Sequence, residues 1–257
     1  MSNPRITYQN LSNYFSVSAS YPGYSATTET SSLQSYENAD VWKSSVTSSG
    51  QLISIDFGSA QTFTDVVIDS NNFSDLNCTF ISLIGADDSN LSVNATSAIY
   101  DMKDSGSLFH TTFASPVSKR YWGVKFYGAQ STYPYIGNLF LSNDLVFNTP
   151  YDWNYKTENK EYQTTEKVSL SGRIMTSQNF AGRIIYELQF SLQDNTLKTD
   201  FQTFQTTIRG KLRPFYFINT DGTIRYMHCT DDYVPVESYR YNYNNVSLNM
   251  RTHESDY

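Results

Sequence analysis

Gln51-Leu52-Ile53-Ser54-Ile55-Asp56-Phe57-Gly58-Ser59-Ala60, followed by Phe63-Thr64-Asp65-Val66-Val67-Ile68, is the stretch on which the fold turns. The first run alternates in part between apolar and polar residues and stops at Gly58. The second is rich in β-branched residues and ends in the polar Asp69–Asn72. Thr79-Phe80-Ile81-Ser82-Leu83-Ile84 repeats the pattern and stops at Gly85. Strand-like runs of about six residues, with turn residues every 8 to 15 positions or so, describe an antiparallel sandwich. Tyr121–Tyr127 and Tyr135–Leu141 supply two more strands. Upstream, residues 1–40 are polar and broken by Pro22-Gly23, with short strands expected around Ile6–Tyr8 and Phe15–Ala19.

Downstream the pattern breaks between Ser142 and Glu166. Asn148-Thr149-Pro150 is a turn signal, and Thr157–Glu166 is polar with mixed charge. We therefore expect a first domain over 1–147, a linker over 148–166 and a smaller β-rich domain over 167–257. Strands are expected at Val168–Ile174 and Arg183–Leu192, the latter with Ile184, Tyr186, Leu188 and Phe190 on one face. Leu197, Phe201, Phe204 and Ile208 then recur at helical spacing, giving one amphipathic helix. Asp194 or Asn195 can cap its start, and Gly210 with Pro214 marks its end. Phe215–Ile218 and Ile224–Met227 flank Asn219-Thr220-Asp221-Gly222-Thr223, where Asp-Gly supports the positive φ of a tight hairpin. A strand near Val246–Met250 ends the domain. The fold class is all-β and mainly antiparallel, with a single helix.

Composition narrows the function. Of 257 residues, 16% are aromatic and 17% charged, the latter below the roughly 25% of an average domain. Tyr, Phe, Thr and Val suit half-buried strands. Net charge is −7, and the longest basic cluster is the pair Lys119-Arg120. Neutralising phosphates takes basic side chains, so no nucleic-acid partner is expected. No apolar run approaches the roughly 20 residues that span a bilayer, so no membrane insertion is expected. The start, Met1-Ser2-Asn3-Pro4-Arg5, lacks an apolar core for a secretory signal. Cys78 and Cys229 make no disulfide framework, and synthesis in a reducing cytoplasm fits.

No nucleophile motif, zinc motif or phosphate loop is present, so no catalytic residue and no cofactor is expected. His228 adjoins Cys229, but neighbouring strand positions point to opposite faces, which makes a poor dyad. Asp87-Asp88 and Asp231-Asp232 read as solvated turn acids. Calcium at Asp87 or Asp88 would need more oxygens than the sequence lines up, and no metal is expected. The aromatic segments Tyr133-Pro134-Tyr135 and Tyr151-Asp152-Trp153-Asn154-Tyr155 are too polar to bury fully. Tyr133, Tyr135, Tyr151, Trp153 and Tyr155 are therefore candidates for a protein interface or glycan contact, or else pack on their own domain. Trp42 and Trp122 sit in strand-like surroundings and read as core.

Taken in order, Val41-Trp42-Lys43-Ser44-Ser45, the run to Asp56-Phe57-Gly58-Ser59, and Val66–Phe73 with its Asn-rich turn resemble the discoidin, or galactose-binding-like, domain. Arg120–Phe126 and Ile136-Gly137-Asn138-Leu139-Phe140-Leu141 match its later strands, so the resemblance covers about residues 5–145. It implies a jelly-roll β-sandwich with ligand loops at one end. The short Ile-Gly-x-Leu-Phe-Leu ending, with a second β domain, looks like tail or baseplate proteins of tailed bacteriophages. That likeness implies a non-enzymatic virion component made in the bacterial cytoplasm. It would form a homo-oligomeric ring with neighbouring tail proteins through strand edges and the Leu197, Phe201, Phe204, Ile208 helix. The alternative is a carbohydrate-binding adhesin for host-surface glycan, with Tyr133, Tyr135 or Trp153 stacking on sugar.

Overall fold

The structure is a computed structural model that describes residues 3–9, 16–19, 41–44, 50–69, 71–73, 80–101, 107–127, 133–152, 159–161, 164–168, 174–178, 183–231, 236–237 and 243–252. The chain divides into two compact units, Gln9–Asp144 and Met1–Tyr8 with Leu145–Tyr257. The first strand, β1 (Arg5–Thr7), belongs to the latter.

The Gln9–Asp144 unit contains β2 (Ser16–Ala19), β3 (Trp42–Lys43), β4 (Gln51–Asp69), β5 (Phe80–Ala86), β6 (Thr96–Asp101), β7 (Phe109–Tyr127), β8 (Tyr135–Ile136) and β9 (Asn138–Ser142). Its main sheet runs β2-β4-β7-β5-β6, with β9 also on β4, and β3 pairs β8. Every pairing is antiparallel. Where the alternation predicts two strands, the structure has one, β4, of 19 residues. It is paired along its length with β7, also of 19 residues. The register shifts between Asp56 and Gln61 and again between Phe63 and Asp65, so both strands change course together. Side chains from both segments of β4, Ile53, Ile55 and Phe57 from one and Phe63, Val66 and Ile68 from the other, meet in one core with Trp122, Val124 and Phe126. The Phe63 ring lies 5.1 Å from Phe57 and 5.2 Å from Trp122. Trp42 stacks on Phe126 at 6.3 Å, and both expected core tryptophans are buried. The unit is a jelly-roll-like antiparallel β-sandwich.

A buried polar pair crosses the same two strands. Asp65 is 1% exposed, accepts from Thr112 Oγ1 at 2.8 Å and lies 2.7 Å from His110 Nε2. A carboxylate taken out of water needs such partners. Near the corner, the Arg120 guanidinium donates two parallel hydrogen bonds to Asp56, of 2.8 and 2.9 Å. These bonds hold the Asp56 carboxyl below its usual range, despite some desolvation, with help from the Gly58 amide.

The other unit adds β10 (Leu145–Val146), β11 (Asn159–Glu161), β12 (Thr164–Val168), β13 (Ile174–Gln178), β14 (Arg183–Asp194), α1 (Asn195–Ile208), β15 (Phe215–Ile218), β16 (Ile224–Cys229), β17 (Val236–Glu237) and β18 (Tyr243–Thr252). An eight-stranded sheet runs β10-β1-β15-β16-β18-β14-β11, with β17 on β18, while β12 and β13 form a separate two-stranded sheet among the described residues. Asp194 caps α1 by accepting from the Leu197 amide at 2.8 Å. Its left-handed C-cap is Arg209, with Gly210 also at positive φ. The hairpin turn is as expected: Gly222 has φ of 86° and its amide donates to Asn219 O at 3.0 Å.

Four expectations need correction. Residues 3–8 do not start the sandwich: β1 lies between β10 and β15, and Ile6 is fully buried in the second core. Three residues carry no period that would identify so distant a partner. The expected linker is partly strand, since Asn159–Glu161 pairs β14 and β12 begins at Thr164. Val168 and Ile174 are not in one strand but face each other as cross-strand partners. Finally, the stripe proposed for assembly is already used. Leu197, Phe201, Phe204 and Ile208 are 0–3% exposed, packed in the unit's own core with Tyr8, Phe147 and Phe215. The Phe204 ring meets Tyr8 at 5.3 Å and Phe215 at 5.1 Å, both edge-on. No described helix is long and apolar enough to cross a membrane.

Two outcomes follow for the folded chain. A 9–144 fragment is expected to melt cooperatively by circular dichroism, whereas 145–257, lacking β1, loses its cooperative transition. A sharp melt of 145–257 alone would show β1 to be dispensable. Because the native Asp56 carboxyl is depressed, its contribution to stability is complete above an unfolded value of about 3.9 and is lost as pH falls through the native value. Arg120→Met should therefore lower the urea midpoint at pH 7, with the gap from wild type closing as pH falls through the depressed native Asp56 value. A pH-independent gap would mean that Arg120 acts by packing alone.

Candidate functional site

Asn71 and Asn72, shortly after β4, organise one end of the sandwich through their side-chain amides. Asn71 Nδ2 donates to Ser107 O at 2.8 Å, and Asn71 Oδ1 accepts from the Phe73 amide at 3.1 Å. Asn72 grips the aromatic loop: Nδ2 donates to Tyr133 O at 3.1 Å and Oδ1 accepts from the Tyr135 amide at 3.0 Å. From the other side the Ser44 amide donates to Pro134 O at 2.9 Å, and Lys43 pairs with Tyr135 in the β3–β8 ladder. Three hydrogen bonds and the Lys43 pairing thus fix a segment whose Tyr133 side chain is left in solvent. Tyr133 is 45% exposed, and the Lys43 ammonium lies 5.6 Å from its ring centroid. That geometry is a weak cation–π contact. Tyr135 is half-buried.

The remaining candidates separate. Tyr151 is half-buried and meets Phe190 edge-on at 6.3 Å, so it packs on its own unit. Its neighbour Asp152 accepts from Ser191 Oγ at 2.6 Å. Trp153 and Tyr155 lie outside the described residues. The structure therefore brings Tyr133 and Tyr135 together and gives Tyr151 to the other unit. Sequence reasoning did not assign roles to Lys43 and Asn72. The signal for Asn72 was its place in the Asn-rich turn, and Lys43 became visible only through strand pairing.

The acidic pairs are occupied by their own loops. Asp88 accepts from the amides of Val93 and Ser92 at 2.7 and 2.8 Å and from Ser92 Oγ at 2.8 Å. Those bonds, the Val93 amide first, hold its carboxyl below the usual range. Asp87 is lowered by Asn94 and then by Lys119, whose ammonium is 3.0 Å from both its oxygens. Asp231 accepts from Asn249 Nδ2 at 2.8 Å. Among the described residues, no group of three or more His, Cys, Asp or Glu side chains is arranged to hold a metal. His228 Nε2 accepts from Arg251 Nε at 2.7 Å, while Cys229 is buried in the second core. The two turn to opposite sides of β16, and no dyad forms between them.

A separate hollow of about 280 Å³ opens on the Gln9–Asp144 unit, lined by Ser54, Ile55, Asp56, Ser89, Leu91, Tyr121 and Trp122. Ile55 and Trp122 are almost wholly buried core residues, so strand alternation turns Ser54, Asp56 and Tyr121 to the outer face.

No protein-family model matches the chain, and no curated protein does. Among solved structures it is similar to chitosan-binding module 1 from a chitosanase/glucanase of Paenibacillus sp. IK-5, at 19% identity and a TM-score of 0.43, over 53% of this chain and 99% of that one. It is also similar to the family 32 carbohydrate-binding module of Clostridium perfringens NanJ, solved with galactose, at 15% identity and a TM-score of 0.40, over 55% and 99%. The family 32 module of Streptococcus pneumoniae EndoD gives 12% identity and a TM-score of 0.38, over 50% and 94%.

Proposed function

We propose that the protein is a non-catalytic carbohydrate-binding protein and that the Tyr133 loop is its sugar-contacting surface. The observation that carries this reading is an exposed tyrosine on a backbone already fixed by Asn72 and Ser44. Sugar rings present an apolar face and a rim of hydroxyls. A tyrosine offers a flat apolar face with a polar tip, and Lys43 adds a donor beside it. Fixing the loop before the ligand arrives removes an ordering cost that would otherwise weaken so small a contact. The end-loop position agrees with what the discoidin resemblance implies. Tyr133→Ala should weaken binding at least tenfold on a glycan array and in calorimetry with the best glycan. Asn72→Ala, which loosens the loop but keeps the ring, should have a smaller effect. An array without signal at millimolar ligand would remove the reading.

A second reading, assembly into a phage tail or baseplate, draws on one observation in the other unit. Val168 and Ile174 are 67% and 62% exposed and stand opposite each other on the β12–β13 pair. A two-stranded ribbon is marginal alone in water, and an exposed apolar pair on it suits burial by a neighbour. Light scattering over a concentration series should show a discrete oligomer that Val168→Thr with Ile174→Thr dissociates. A strict monomer that is also absent from purified virions would end this reading.

A further inference from the structure

We propose that the hollow lined by Ser54, Asp56, Leu91 and Tyr121 is a second ligand site, taking one neutral pyranose ring. It is built from other residues than the Tyr133 loop and does not rest on that reading. Its volume of about 280 Å³ is at the lower bound of small-molecule sites, which run from roughly 300 Å³ upwards. That holds a single ring and is too little for a folded peptide segment.

Three features shape it. Gly123 lies on the outer face between Leu52 and Leu91: a Cβ there would come within 2.4 Å of Leu91 Cδ1 and 2.9 Å of Leu52 Cδ1. The missing side chain is what lets Leu91 close down on the sheet. Leu91 itself is held at φ of 56°, a costly backbone for a leucine. The conformation is maintained by Asp88, which grips the Ser92 and Val93 amides just beyond it, and by the Leu91 amide donating to Asp88 O at 3.1 Å. On the opposite side the Arg120 guanidinium, locked onto Asp56, lies 4.8 Å from the Tyr121 ring centroid and steadies that ring. Two apolar surfaces, Leu91 and Tyr121, thus stand in fixed positions around hydroxyls from Ser54 and Ser89.

The charges select the ligand. Asp56 is ionised throughout the working range and is matched by Arg120, while Asp87 is matched by Lys119. An anion would face Asp56, and a cation would compete with the Arg120 guanidinium already in place. A neutral polyol with an apolar face meets both the apolar walls and the hydroxyls.

The test is an NMR titration of the full-length ¹⁵N-labelled chain carrying Tyr133→Ala. The probes are the methyl β-pyranosides of galactose, glucose and N-acetylglucosamine, with sodium acetate as the anion control. Expected are saturable shifts at the amides of Ser54, Leu91, Tyr121 and Gly123 with at least one glycoside. Ser54→Leu, which fills the hollow, should weaken them at least tenfold. Gly123→Ala, which expels Leu91, should do the same if its melting curve stays cooperative. The proposal is overturned by no saturable shift with any glycoside, by shifts that survive Ser54→Leu, or by acetate giving the same response. Because Tyr133 is absent from the titrated chain, shifts that persist there belong to this hollow even if the end-loop reading fails in its own test.

Discussion

The sandwich depends on β4 and β7 remaining paired while both change direction. A single strand could turn a corner by breaking its ladder, but its amides and carbonyls would then be left inside without partners. Here both partners turn together. Residues 57–60 stand opposite Arg120 in the first shift and Thr64 opposite residues 113–116 in the second, with pairing resumed between them at Gln61, Thr62 and Phe63. The core follows from that manoeuvre, because it brings Phe57 and Phe63 from one strand against Trp122 from the other. Each large side chain so buried contributes about 1.5–3 kcal/mol. The Arg120–Asp56 fork and the buried His110–Asp65 contact fasten the same pair of strands on either side of the turn.

The residues that read clearly in the sequence are those whose environment is local. Ile184, Tyr186, Leu188 and Phe190 alternate and are all buried; Leu197, Phe201, Phe204 and Ile208 repeat at helical spacing and form one stripe. Asp221-Gly222 specifies a turn in two residues. In each case the deciding information lies within one or two turns of chain. What periodicity leaves open is the partner of an apolar face. The helix stripe looks the same in sequence whether it faces its own sheet or a neighbour, and here Phe147, Phe215 and Tyr8 supply the answer from three distant segments.

The same argument explains the boundary and the site. Arg5–Thr7 is too short for a pattern, so only its ladders with Leu145–Val146 and with Tyr216–Ile218 reveal which sheet it completes. Gly58-Ser59-Ala60 interrupts the alternation and so looks like a loop between strands, although pairing with β7 resumes beyond it at Gln61. Tyr133 and Tyr135 were legible as polar-flanked aromatics. Their anchor Asn72 was not, because it acts from 61 residues away. The hollow was less legible still: Ser54, Leu91 and Tyr121 come from three segments, and Gly123 matters through what it lacks.

The aromatic excess, finally, is two populations with different tasks. Of the dozen largest fully buried side chains, all but Tyr216 and Ile6 are phenylalanines, as expected where a hydroxyl would need a partner. Tyr8, Tyr186, Tyr216 and Tyr226 are buried in the other unit, whereas the described tyrosines of the sandwich, Tyr100, Tyr121, Tyr127, Tyr133 and Tyr135, are half-buried or exposed. A single tyrosine platform of this size contacts little of a sugar, and affinity per site is correspondingly low. Repetition changes that arithmetic, since linked weak sites bind through a high effective concentration without any new contact. The two functional readings therefore reinforce each other. On those proposals the exposed apolar ribbon in one unit would be a means of repetition, and a weak glycan surface in the other would be the kind of site that gains most from being repeated.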